Sequence, residues 1–238
     1  MALTDAVVLP TTSVAQYLFF VLNTMGRDKI IRCLQYFGRF YSWYLERTNG
    51  TKAQIAPWEA IKKQLGLVRK VMRAGTFVDH FRSLLSLAVD NKAQEPALRY
   101  MNMLRALCYT IYMTLDSVTL LDLIGVRKLQ KASLYQREAN RFWAMGLMSS
   151  VLAQSYRMFL LNERMATIDK KEADGVVEYR KTVQERAQAR NQIICDLCDV
   201  TAPAAALGWA KFDEGLIGLT GIFSSVVSVS SKLTKFSE

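Results

Sequence analysis

Histidine is almost missing: His80 stands alone in a chain of 238 residues. A multi-histidine metal site is thereby excluded, and a serine–histidine–aspartate relay would have to run through that one residue. Proline (four) and glycine (twelve) are scarce as well, which argues against a loop-rich β-sandwich or a collagen-like repeat. The four cysteines, at 33, 108, 195 and 198, do not make the disulfide framework of a small secreted chain. The N-terminal stretch MALTDAVVLPTTS lacks the basic region, apolar core and small-residue cleavage site of a signal peptide. Cys195 and Cys198 form a C-x-x-C, but a zinc site needs a second ligand pair. Only Cys33, Cys108 and His80 could supply one, and they are scattered. The thiols therefore read as reduced packing residues, and no metal or cofactor is expected. No phosphate-cradling glycine motif and no paired catalytic carboxylates occur, so an enzyme ranks last.

Acidic residues are also in short supply, 21 against 31 Lys and Arg, a formal net charge of +10. An excess of that size points to a polyanionic partner, either nucleic acid or an anionic lipid surface. Apolar residues make up 51% of the chain, which excludes a disordered tail protein. Alternation of apolar and polar residues at the strand period is rare, and the texture is helical nearly throughout.

Ser13 is an N-cap candidate for a helix from Val14 to Leu22. A second helix is expected from Arg27 to Arg47, where Ile30, Leu34, Phe37, Tyr41 and Leu45 advance by three or four, and Asn49-Gly50 ends it. Tyr36, Phe37, Phe40, Tyr41, Trp43 and Tyr44 cluster on it. Such a cluster is either packed core or an aromatic belt at headgroup level.

Pro57 is expected to open a third helix, from Trp58 to Val89. Leu67, Val71, Ala74, Val78, Phe81 and Leu85 follow alternating steps of four and three, and Val68 and Met72 widen the stripe. At about 100° per residue the opposite sector collects Lys62, Arg69, Arg73 and His80, with Lys70 at its edge. Asp79 is the only acid between Lys62 and Val89. This pattern fits a surface helix packed on a bundle, or a helix lying in a membrane interface with its apolar stripe in lipid and its basic face among headgroups. His80, on the polar sector beside Arg73, reads as facing solvent or headgroups, not as a catalytic base.

Pro96 begins the second half, and two regions are expected, 1–95 and 96–238. In Leu98–Gly125 the apolar portion Ala106–Leu115 is ten residues long before Asp116 and Asp122 intrude, too short for a free-standing span. Phe142–Leu161 carries Gln154 and Arg157. A mixed-charge segment, 162–192, is the linker candidate. The C-terminal membrane segment is placed at 203–231, within which Gly215–Ser231 runs for seventeen residues without a charge, the lower limit for a transmembrane helix. Gly215, Gly218, Gly221 and Ser225 are among the small residues that would let another helix approach closely in lipid. Lys232 and Lys235 stand beyond as snorkelling anchors. This uncharged run argues against a soluble nucleic-acid-binding bundle. The fold class expected is all-α: a membrane-associated helical bundle with an amphipathic interfacial helix and a C-terminal hydrophobic, membrane-crossing helix.

The order of four segments, Gly26–Arg32 with Tyr36, Leu67–Gly75 with Phe77 and His80-Phe81, Leu115–Ser117 leading to Gly125, and Pro203–Ser225, resembles the peroxisomal biogenesis factor eleven family in its fungal form, over essentially the whole chain. The resemblance implies a non-enzymatic peroxisomal membrane protein that elongates peroxisomes before fission, using an amphipathic helix that matches about Leu65–Leu85 here. It also implies an anionic phospholipid surface as partner, self-association, and a dynamin-like fission GTPase with its membrane adaptor. Some members of the family are proposed to conduct small metabolites; Arg157, Asp116 and Asp122 would then line the aqueous path.

Overall fold

The computed structural model describes residues 24–89, 95–168 and 173–236, and these form seven α-helices and no strand. In order they are α1 (Thr24–Arg47), α2 (Lys52–Met72), α3 (Phe77–Val89), α4 (Pro96–Leu123), α5 (Ala132–Thr167), α6 (Ala173–Ala206) and α7 (Glu214–Phe236). The expected helix Val14–Leu22 with its Ser13 cap lies outside the described residues, as do the side chains of Lys232 and Lys235.

Short local signals set the boundaries. Asn49 takes φ 57° after α1, the left-handed end foreseen for Asn49-Gly50. Pro57 does not open the next helix. α2 starts earlier, where the Gln54 side chain accepts a hydrogen bond from the Thr51 backbone N–H at 2.9 Å, and Pro57 sits inside it. The single helix expected over 58–89 is two. Gly75 at φ 86° breaks it after Met72, and the Thr76 hydroxyl donates to the Arg73 carbonyl at 2.8 Å within the turn. A left-handed φ is open to glycine at little cost. Gly125, at φ 79°, closes off α4 in the same way. The linker candidate 162–192 is largely helix: residues 173–192 form the first half of α6, packed along α5.

Neighbours in the bundle run antiparallel. α1 lies between α2 and α7, α7 meets α6, α6 meets α5 and α5 meets α4; a smaller contact of α4 with α2 closes six helices into a ring. α3 is outside that ring and packs on α4 alone among the described elements. Arg99 of α4 holds its end, donating to the carbonyls of Leu87 at 2.6 Å and Ala88 at 2.9 Å.

The small residues of α7 are the reason α1 comes so close. A Cβ on Gly215 would stand 2.5 Å from the Trp43 ring, on Gly218 2.8 Å from the Phe40 backbone nitrogen, and on Gly221 2.2 Å from the Tyr36 ring. Ser224 and Ser225 are completely buried, with the Ser225 hydroxyl turned back onto the Gly221 carbonyl at 2.6 Å. The same economy holds between α4, α5 and α6, whose fully enclosed residues include Ala139, Ala144, Ser150 and Ala153. The aromatic cluster divides between two seams: Phe37 and Tyr41 pack on Trp58 of α2, while Tyr36, Phe40 and Trp43 receive the α7 glycines.

The expectation that α7 crosses a membrane is corrected: among the described residues no helix is long and apolar enough to do so. Eight of the seventeen uncharged residues are Gly or Ser, which give close packing and dilute the apolarity of the run.

Gly218→Ala is expected to lower stability by about 1–3 kcal/mol, because the atoms it meets are main chain and cannot swing aside. Leu219→Ala, on the outward side of the same helix, is expected to leave the thermal midpoint in detergent nearly unchanged.

Candidate functional site

Several of the cations of α2 and of the turn after it point inward. Arg69, placed by sequence on a headgroup-facing sector, is buried; its Nε donates to Asp28 at 2.9 Å and its Nη1 to Gln35 at 2.7 Å, both on α1. Lys70 pairs with Asp116 of α4 at 3.1 Å and donates to Thr119 at 2.8 Å and Gln136 at 2.9 Å. Arg73 shares Asp116 at 3.4 Å. Three of the five expected headgroup residues are thus turned into the bundle, where half-buried Asp28 and buried Asp116 answer their charge. Lys62 is half-buried between Glu59 at 3.1 Å and Glu214 at 3.2 Å. His80, half-buried, lies on the Tyr109 ring, centroids 5.2 Å apart; burial and the Arg105 charge hold its pKa below the usual histidine value.

The apolar side of α2 and α3 faces out. Val68, Val71, Val78, Phe81 and Leu85 are between 42% and 55% exposed, Leu67 and Met72 are half-buried, and Ala74 is exposed in the turn. No residue of α3 is buried. The stripe continues around the molecule through Leu104 and Leu121 of α4, Leu152 and Phe159 of α5, Leu197 of α6 and Phe223 of α7, all exposed.

Inside the ring the helices line a polar cavity of about 710 Å³ that is open to the outside. Its walls carry three ionic ties. The first is Arg32 with Asp199 and Ser224, which joins α1, α6 and α7: Arg32 pairs with Asp199 and donates to Ser224 at 2.9 Å, and Ser224 donates to Asp199 at 2.6 Å. The other two are Arg69 with Asp28 and the Lys70–Arg73–Asp116 group. Asp196 accepts from Ser150 at 2.6 Å and Gln192 at 2.8 Å, which joins α5 to α6; its burial pushes its pKa up. Arg157, paired with Glu185 at 3.3 Å, and Asp116 line this cavity. Asp122 does not; it accepts from the Leu129 backbone N–H at 2.9 Å in the loop after α4. The buried acids that answer these cations were missed by sequence reasoning. Asp28, between Arg27 and Lys29, and Asp199, far along the chain, carried no sign in the sequence of which cation they meet.

Small and polar residues inside and large apolar ones outside invert the arrangement of a water-soluble bundle, and this surface belongs to a protein that lives against lipid. The chain matches the family model of peroxisomal biogenesis factor 11 (PEX11) over residues 14–233, and it belongs to that family. It is 22% identical to peroxisomal membrane protein PMP27 of Saccharomyces cerevisiae, over 91% of this chain and 93% of the relative. It is 22% identical to peroxisomal biogenesis factor 11 of Schizosaccharomyces pombe, over 88% and 90%, and 21% identical to peroxisomal membrane protein 11A of Bos taurus, over 90% and 94%. No solved structure matches. Membership makes the chain a non-enzymatic protein of peroxisome biogenesis, and its place is the peroxisomal membrane.

Asp116→Ala leaves Lys70 and Arg73 without their acid and is expected to cost about 3–5 kcal/mol in denaturant unfolding. At the end of α7, a bidentate hydrogen bond from Arg39, with Lys62 beside it, pulls the Glu214 pKa from 4.5 down to about 2. A lowered folded-state pKa stabilises fully above the unfolded value and loses its effect as the pH falls toward the folded one. The thermal midpoint of the wild type should therefore exceed that of Glu214→Gln above about pH 4.5 and converge with it toward pH 2.

Proposed function

We propose that this chain elongates the peroxisomal membrane ahead of fission by seating the apolar side of α2 and α3 in one leaflet, with the helical ring as its frame. The observation that carries the reading is the outward stripe of Val68, Val71, Val78, Phe81 and Leu85, beside which Arg69 and Lys70 of α2 are tied inward. A helix lying at headgroup depth takes up area in one leaflet and little beneath it, which favours positive curvature. Each large side chain seated in this way contributes at most about 1.5–3 kcal/mol. Arg69, Lys70 and Arg73 serve here to fasten the wedge to α1 and α4. Attraction to anionic phospholipid falls instead to exposed cations such as Lys63 and Arg82, and to the overall charge of +10. Self-association would concentrate wedges along a tubule on which a dynamin-like GTPase and its adaptor act; these two partners rest on family resemblance.

The test is vesicle flotation and tubulation by the full chain. Val78→Asp with Phe81→Asp should abolish both on anionic vesicles, whereas Arg69→Glu with Arg73→Glu should lower the melting temperature before it alters lipid preference. Tubulation by the Val78/Phe81 variant at the wild-type level rejects the wedge.

The central cavity favours a second reading, a small-metabolite channel, since charged residues within a lipid-facing bundle tend to line solute paths. Conductance in planar bilayers that Arg157→Ala removes would support it.

A further inference from the structure

Seven Lys or Arg and four Asp line the central cavity, and a fifth acid, Glu185, pairs with Arg157 from outside it. Two of the acids are taken by Arg32 and Arg69, and Asp116 is divided between Lys70 and Arg73. Asp196 is held by a hydroxyl and an amide. Arg32 is nine-tenths buried, and its Nε and that of Arg73 have no hydrogen-bond partner among the described residues. Arg105 makes no ion pair among them; its guanidinium lies 5.6 Å from the centroid of Tyr109, the ring on which His80 also stacks. Arg105 and His80 line a second cavity too, of about 680 Å³ between α3 and α4, so they form the wall that the two spaces share.

A guanidinium group that lines a cavity between helices without a carboxylate paired to it is a ready partner for an anion. We propose that the central cavity is a binding site for a phosphate group, held by Arg105, Arg73 and His80. Two arginines present planar forks that match an oxyanion in paired hydrogen bonds, His80 supplies an N–H, and the positive surplus suits a dianion better than a single carboxylate. A space of about 710 Å³ is of the size that holds a whole small ligand. The phosphate can belong to a soluble ester or to a lipid headgroup, and the chemistry of the site is the same for both. The site requires neither curvature nor conduction: binding is read in the folded bundle alone, so a failed tubulation or conductance assay leaves it standing, and its own failure leaves those readings standing.

The experiment is calorimetric titration of the full chain in a non-ionic detergent. One arm uses inorganic phosphate, one a short-chain phosphatidic acid below its micellar concentration, and a third potassium chloride at matched ionic strength. Arg105→Gln removes a cation that makes no ion pair among the described residues and lies over the Tyr109 ring, and Arg105→Lys keeps its charge without the fork. Lys181→Gln removes the same charge from the exposed side of α6. Saturable binding of phosphate or of phosphatidic acid is expected, weakened roughly tenfold or more by Arg105→Gln, less by Arg105→Lys, and not by Lys181→Gln, with the melting temperature of each unliganded variant within a few degrees of wild type. A response to inorganic phosphate assigns the site to a soluble ester, and a response to phosphatidic acid alone assigns it to a headgroup. Heat no greater than that of chloride in both arms, or equal weakening by Arg105→Gln and Lys181→Gln, overturns the proposal.

Discussion

A charge withdrawn from water must be answered by another, and that constraint organises the whole bundle. Arg32 holds α1 to α6 and α7, Arg69 holds α2 to α1, Lys70 and Arg73 hold α2 to α4, and Asp196 holds α6 to α5. Breaking any of these leaves a buried ion alone, which costs far more than the intact pair contributes. The ties therefore specify which helix sits beside which more strongly than they raise the overall stability. α3 alone has no ionic tie of this kind among the described elements. It rests on α4 through the His80–Tyr109 stack and the Arg99 bonds, and it is the helix with the largest freedom to exchange protein contacts for lipid.

With polar groups committed to the inside, the exterior can be apolar, and small residues set how near the helices come. Where Gly218 meets the Phe40 main chain, no side chain lies between the two helices. This geometry gains dispersion contacts that do not depend on water. It also bears on why no helix among the described residues qualifies as a span: the Gly and Ser that let α7 pack closely lower its mean apolarity, while Leu216, Leu219 and Phe223 remain exposed on its outer side.

The helical class was legible in the sequence because periodicity is local, and so was the apolar stripe of α2 and α3, since Val71, Val78 and Phe81 fall where a helix of 3.6 residues per turn places them. The break at Gly75 was not, because one glycine inside a periodic run is as compatible with a continuous helix as with a turn. The orientation of the basic face was misread for a different reason. A row of cations says which sector is polar, but whether that sector meets headgroups or carboxylates is decided by Asp28 and Asp116, residues 41 and 43 positions away from their partners. The glycines of α7 were legible as a close-approach surface, though not as the seat of Tyr36, Phe40 and Trp43.

The Arg32 triad has a consequence for biosynthesis. Its acid partner lies 167 residues downstream and its hydroxyl partner 192, so at ribosomal speeds the guanidinium waits about 10–30 s for Asp199 to be made. α1 can meet α2 early, but its contacts with α6 and α7 must wait until those helices are made, and a nascent chain stalled before α7 would lack both the Ser224 partner of Arg32 and the helix that joins α6 to α1.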